Sequence, residues 1–258
     1  MMCWLYSIYQ IGTAGSGKTL LTEKLISWYN DNGNSVASIN LDPGVRNLPY
    51  TPDFDIREYI DIDSLMEKYQ LGPNGALIFA VDLIATKIDE IQNSLDTMNV
   101  DYAIFDTPGQ IELFAYRNSG LYIVNNIQSD AKVSLFLFDS TLISSYSNYV
   151  SLLFLANSIR LKFNLPQIPI FSKFDLLENS DIISNIFSDP ENIGNKIEAE
   201  SSGDSYMLNR DLLTSIITLG LEYDPIPVSS ITGDGMIDLI ANISRTLNLG
   251  EDTTYSNE

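Results

Sequence analysis

Gly12-Thr13-Ala14-Gly15-Ser16-Gly17-Lys18-Thr19 follows the apolar run Leu5–Ile11 and leads into Leu20–Tyr29, where Leu21, Leu25, Ile26 and Tyr29 share one helical face. The octet satisfies G-x-x-x-x-G-K-[ST] in the strand–loop–helix context that pattern requires. No other stretch constrains the fold as strongly. Glycines let backbone N–H groups turn inward around phosphate oxygens, and the helix N-terminus adds positive potential. Lys18 can then reach a β- or γ-phosphate, and the Thr19 hydroxyl can ligate Mg²⁺. Gly12, Thr13, Ala14, Gly15, Ser16, Gly17, Lys18 and Thr19 are therefore the expected nucleotide cradle.

Further apolar runs recur between helical patterns, at Ser35–Leu41, Ala103–Asp106, Val133–Asp139, Ile168–Ser172 and Ile226–Ser229. This alternation predicts βαβ units: an α/β fold with a mainly parallel sheet flanked by helices, binding its ligand at the carboxyl ends of the strands. Asp55–Gln70 reads as a helix whose Tyr59, Ile62, Leu65, Met66 and Tyr69 form one apolar stripe, expected to be core. The polar segment 178–220 reads as a helical excursion after the fifth strand, with helical patches at Ile182–Phe187 and Leu212–Leu219. Met236–Leu247 is a closing helix. We expect one domain over 1–249 and a disordered tail over 250–258.

Composition narrows the chemistry. The chain of 258 residues carries a formal charge of −20 and no histidine. Its overall field repels nucleic acid and anionic membranes, so neither is an expected partner and any phosphate must be gripped locally. Without histidine, Ser-His nucleophilic catalysis and His-ligated zinc are excluded; carboxylates, lysine, amides and a hard cation remain. A single cysteine rules out an intramolecular disulfide. No apolar run approaches membrane-spanning length and no leader is legible, so a cytoplasmic protein is expected.

Two further stretches extend the phosphate-loop reading. Asp106-Thr107-Pro108-Gly109-Gln110 ends a buried strand in an acid and a Pro-Gly turn, which places Asp106 as a carboxylate bound to magnesium directly or through its water, the Gly109 N–H as a γ-phosphate sensor and Gln110 as a water-orienting amide. Ser172-Lys173-Phe174-Asp175 resembles the base-reading N-K-x-D of GTPases, with Ser172 in place of Asn. There Asp175 would accept from guanine N1–H and N2–H₂, and Lys173 would lie along the ring. Val228–Gly235, including Ser229 and Ser230, would offer backbone N–H groups to guanine O6.

Gly72-Pro73-Asn74-Gly75 has the chemistry of a tight turn, with Pro presetting φ and Asn and Gly tolerating positive φ. Its company makes it more. GTAGSGKT (12–19), NLDPG (40–44) with PYTPDFDIREYI (49–60), GPNGA (72–76), DTPGQIELF (106–114), SKFDLL (172–177) and VSSITGDGM (228–236) together resemble the GPN-loop GTPases. That resemblance implies a P-loop NTPase fold with a helical insertion, GTP and GDP as ligands, Mg²⁺ as cofactor, and a homodimer in which Asn74 approaches the γ-phosphate held by the other subunit. It gives Asp42 a role near the catalytic water or magnesium, Gln110 that of the orienting amide and Glu112 that of a supporting acceptor. Arg57 is expected to be structural. An archaeal-type member is expected, with a chaperone-like switch role; RNA polymerase or its assembly factors are the client class the resemblance suggests. A dimeric ATPase and a non-catalytic nucleotide-gated scaffold are the alternatives.

Overall fold

The computed structural model describes residues 4–177, 181–188, 193–200, 204–219 and 224–247. The expected tail at 250–258 lies outside them, as do parts of the 178–220 excursion. Seven strands form one sheet: β1 (Tyr6–Gly12), β2 (Val36–Asn40), β3 (Phe54–Asp55), β4 (Tyr102–Asp106), β5 (Ala131–Asp139), β6 (Gln167–Ser172) and β7 (Ile226–Pro227). Their order is β3-β2-β4-β1-β5-β6-β7, and every pairing is parallel. Because both faces are covered, the central strands are buried at nearly every position, with Ser7, Gln10, Ser38 and Ser134 among the buried side chains.

Alternation along each strand sorts side chains between the two faces. Ile8, Ile104, Val133, Leu135 and Leu137 pack with α1 (Lys18–Asp31) and α11 (Met236–Leu247), through Leu21, Leu25, Leu239 and Ile243. Tyr9, Ile11, Phe105, Phe136 and Phe138 face the opposite layer, which includes α3 (Pro73–Ile84), α4 (Ile88–Met98), α6 (Asn118–Asn126) and α7 (Tyr146–Phe163). Each fully buried aromatic of this kind stabilises the fold by roughly 2–3 kcal/mol. The helix over 236–247 coincides with the expected one. Described parts of the excursion form α8 (Asp181–Ser188), α9 (Ile193–Glu200) and α10 (Asp204–Thr218).

Three expectations are corrected. Residues 55–70 are not one helix: Asp55 ends β3 and caps a 3-10 turn, Ile56–Glu58, and Asp61 then restarts the chain as α2 (Ile62–Tyr69) by accepting from the Asp63 and Ser64 N–H groups. A two-residue strand followed by Ile-Arg-Glu carries too little period to be told from a helix. The stripe on this stretch is not core. No residue of α2 is buried, and Tyr59 and Tyr69 are each 46% exposed. Finally, 72–75 is no turn: Gly72 is the N-cap of α3 and Pro73 its first helical residue, the position where a missing N–H costs nothing. Asn74 and Gly75 have no positive φ.

Among the described residues no single helix is long and apolar enough to cross a membrane; one pair, Ile62–Tyr69 with 73–98, passes by length and composition but is bent by 112°.

Candidate nucleotide and magnesium site

β1 delivers the chain to the carboxyl edge of the sheet, and residues 13–17 wrap there before α1 begins at Lys18. The wrap depends on left-handed backbone at Gly15 (φ 78°) and Gly17 (φ 92°), which residues with a Cβ adopt only under strain. A cavity of about 630 Å³ opens above it, lined by Gly15, Gly17, Lys18, Thr19 and Leu20 of the loop and helix. Asp42, Asn47, Leu48, Pro49, Thr107 and Gly109 close its other sides.

Lys18 lies against the loop, its Nζ donating to the Gly12 carbonyl at 2.9 Å and to the Thr13 carbonyl at 3.0 Å. Burial brings its ammonium down to about 8, against the pull of Asp106 and Asp42. Asp106, at the end of β4, is 1% exposed. Burial pushes its carboxyl up to about 6, opposed by the neighbouring Thr19 and Tyr50 hydroxyls and by Lys18. One of its oxygens, Oδ1, is buried without a hydrogen-bond partner. An orphaned carboxylate oxygen beside a threonine hydroxyl suits Mg²⁺, which takes one or two protein oxygens and completes its shell with water and substrate phosphates. Among the described residues no cluster of three His, Cys, Asp or Glu forms an all-protein metal cage. Thr19 and Asp106 are the residues that would hold the ion.

Asp42 sits between two backbone donors, Oδ2 accepting from Gly109 N–H at 3.0 Å and Oδ1 from Gly44 N–H at 2.8 Å. The N–H expected to sense a γ-phosphate is thus turned to Asp42 in this structure. Gln110 and Glu112 are exposed, the first as N-cap of the short helix α5 (Ile111–Phe114), the second within it. Neither lines the cavity.

Asn74 does not reach this cavity either. It is exposed and lines a second one, of about 560 Å³, between Pro43–Arg46, α2 and the start of α3. Neither Gly72 nor Gly75 is required by a close approach within the chain: a Cβ at Gly72 would meet nothing within 4 Å, and one at Gly75 only Leu71 at 3.7 Å. Arg57 is tied down internally, pairing with Asp55 at 2.6 Å and donating to the Val45 and Arg46 carbonyls.

The base-side loops meet at the ends of β6 and β7, where the Phe174 N–H donates to the Val228 carbonyl. Asp175 is exposed in the 3-10 turn Phe174–Leu176. Lys173, held in left-handed conformation at φ 57°, pairs with Asp139 at 2.7 Å. Burial works against the Asp139 charge, but hydrogen bonds from Lys173 and Thr141 outweigh it and hold the carboxyl below its ordinary range. Ser172 is buried and donates its hydroxyl to the Phe138 carbonyl at 3.0 Å, so it is turned into the sheet. Ser229 is likewise buried, its Oγ accepting from the Ile231 and Thr232 N–H groups; Ser230 beside it is half-buried. The lining of the phosphate-loop cavity stops short of Lys173, Asp175, Ser229 and Ser230.

Three residues to which the sequence reading gave no role organise the site. Asn40, buried at the end of β2, accepts from the Asp42 N–H and donates to Asp55. Asp139 anchors Lys173. Tyr50 reaches Asp106 itself, its hydroxyl donating to Oδ2 at 3.1 Å. Asn40 and Asp139 stand at the ends of apolar strands, where such residues can be sought. Tyr50 has no local signal, because its partner is 56 residues away.

Fold and site together define a P-loop NTPase. A family model described as "Conserved hypothetical ATP binding protein" matches residues 10–249. The chain is 31% identical over 245 residues to GPN-loop GTPase 1 of Schizosaccharomyces pombe, covering 91% of this chain and 66% of that protein. It is 35% identical over 173 residues to a GPN-loop GTPase of Pyrococcus abyssi, covering 66% of this chain and 68% of the relative. The crystal structure of a GTPase in apo form from Pyrococcus abyssi superposes with a TM-score of 0.84 at 27% identity, covering 95% of this chain and 98% of that one. This chain belongs to the GPN-loop GTPase family. It spans about two thirds of the length of the two yeast GPN-loop GTPase 1 proteins.

Proposed function

We propose that this chain binds GTP with Mg²⁺ and hydrolyses it to GDP and phosphate as a nucleotide-gated homodimer. The observation that carries the reading is the juxtaposition at the cavity floor: Lys18 on the loop carbonyls, the Thr19 hydroxyl, and a buried Asp106 with one oxygen unpartnered. These groups fit a magnesium triphosphate and no preformed metal centre.

When bound, Mg²⁺ would neutralise charge on the phosphate oxygens. The chain's own residues do the rest. Loop N–H groups and Lys18 hold the phosphates and stabilise the charge that develops as water attacks in line. The new bond joins the water oxygen to the γ-phosphorus, the bond to the β–γ bridging oxygen breaks, and GDP leaves. For Gly109 to face the γ-phosphate, Asp42 must release its N–H, which frees a carboxylate to orient the water together with Gln110; Glu112 supports that set. Asp175 and Lys173 read the base, with the 228–235 loop beside them. Asn74 is placed on the exposed start of α3, outside its own chain's phosphate cavity, which favours its acting on the nucleotide of a second copy.

The role is that of an assembly or chaperone-like switch acting on a protein client, of which RNA polymerase or its assembly factors are the class; neither nucleic acid nor a membrane is a direct partner, and the setting is cytoplasmic. The description of the matching family model names ATP and the relatives' names specify GTP, so the purine needs a direct test. Calorimetric binding of Mg·GDP and Mg·ADP, with phosphate release from GTP and ATP, is expected to favour guanine in both measurements. Equal affinity for ADP would reassign the chain as an ATPase, and absence of phosphate release with tight GTP binding would leave a scaffold.

A further inference from the structure

We propose that Tyr50 is the positioning residue for the magnesium carboxylate, holding Asp106 through Oδ2 so that Oδ1 stays turned to the metal. The inference rests on the Mg·GTP reading above and adds a residue to it.

Asp106 is 1% exposed, and a carboxylate in that setting keeps its charge and orientation only through its neighbours. Its two oxygens differ. Oδ2 accepts the Tyr50 hydroxyl at 3.1 Å, whereas Oδ1 is buried and unpartnered. A carboxylate with one oxygen tethered cannot rotate freely about its Cβ–Cγ bond, so the second oxygen is presented in one direction. A hydroxyl does this better than an ammonium or guanidinium would, because it donates one hydrogen bond without cancelling the charge the metal needs.

The tether arrives from a different part of the chain. Tyr50 lies in the connection between Asp42 and Asp55, and its immediate predecessors Asn47, Leu48 and Pro49 line the phosphate cavity. That connection is itself pinned at both ends: Asn40 joins Asp42 to Asp55, and Arg57 holds the Val45 and Arg46 carbonyls. The Tyr50 hydroxyl is therefore carried by a segment anchored at one end through the Asp42 main-chain N–H, while the Asp42 carboxylate separately occupies the Gly109 N–H.

Tyr50→Phe removes only the hydroxyl. Release of a fluorescent GDP analogue from the full chain is measured across a Mg²⁺ titration and in EDTA, alongside thermal unfolding of the unliganded protein. The half-saturating Mg²⁺ concentration is expected to rise about tenfold, while the off-rate in EDTA stays within about twofold of wild type. A merely structural role would raise the off-rate equally with and without Mg²⁺ and lower the melting temperature; that result, or an unchanged Mg²⁺ midpoint, overturns the proposal. On an Asp106→Asn background, Tyr50→Phe should add nothing further to the midpoint, since it acts through the carboxylate. Independent, multiplying effects would also overturn it. A wild-type chain whose GDP release ignores Mg²⁺ would instead sink the magnesium reading, and this inference with it.

Discussion

At the scale of single residues, Asp106 shows how a ligand site is built at the expense of the unliganded fold. Its carboxyl titrates at about 6 in the folded chain against 3.8 when unfolded, because burial disfavours its charge. The folded state therefore takes up the proton first. The stability this group contributes is fully present below pH 3.8 and is lost as pH rises through about 6. Asp106→Asn should stabilise the unliganded protein at neutral pH by up to about 3 kcal/mol, since roughly two pKa units of buried charge disappear. The gain should vanish toward pH 3.8, and Mg·GDP should stabilise the variant much less than wild type. Thermal unfolding at both pH values checks this; a gain independent of pH would show that the carboxylate is not the cause. Lys18, Thr19 and Asp106 were legible in the sequence because loop and strand-end patterns are local. The roles of Tyr50 and Asn40 were not, since Asp106 and Asp55, to which they donate, lie 56 and 15 residues away.

Among the elements, the helix at 73–84 is the instructive one. Gly-Pro-Asn-Gly satisfies a turn and a helix start equally well by local chemistry, since Pro suits the second position of one and the first of the other. The contest is decided downstream, where Ala76, Ala80, Val81 and Ile84 form a buried face and the helix packs on α2 and α6. The result is that Asn74 is presented from a rigid helix end. α3 is also stapled to the start of α6, Asp82 pairing with Arg117 and accepting from Ser119 at 3.0 Å. The close turn between α5 and α6 depends on Gly120, where a Cβ would stand 1.9 Å from the Phe114 carbonyl oxygen. Backbone cannot yield as a side chain does, so Gly120→Ala should destabilise the chain by about 1–3 kcal/mol. Urea unfolding measures it, and a loss below about 0.5 kcal/mol would mean the two helices separate without cost. The exposed stripe on α2 misled for a related reason: period identifies an apolar face but not what covers it.

For the whole molecule, a net charge of −20 and an anionic ligand are reconciled by geometry. The phosphate seat is made of backbone N–H groups and one buried lysine, whose reach is short and whose field is not averaged over the surface. A homodimer would complete that seat. Asn74→Ala and Gln110→Ala are each expected to slow turnover by about ten- to a thousandfold with nucleotide affinity kept. Mixing Asn74→Ala chains with Lys18→Ala chains should then restore part of the activity, because one mixed site holds an intact loop and an intact amide. No recovery in confirmed mixed dimers would place the whole site in one chain. What the sequence by itself determined was the phosphate loop, six of the seven strands, their parallel sense and the membership of the family, since these rest on local periodicity and on residue types at fixed spacing. Only the tertiary structure decided that 72–75 opens a helix, because burial of the face that follows settles what local propensity leaves open, and that Asp42 holds the Gly109 N–H and Tyr50 steadies Asp106, because each is a contact between segments far apart in the chain.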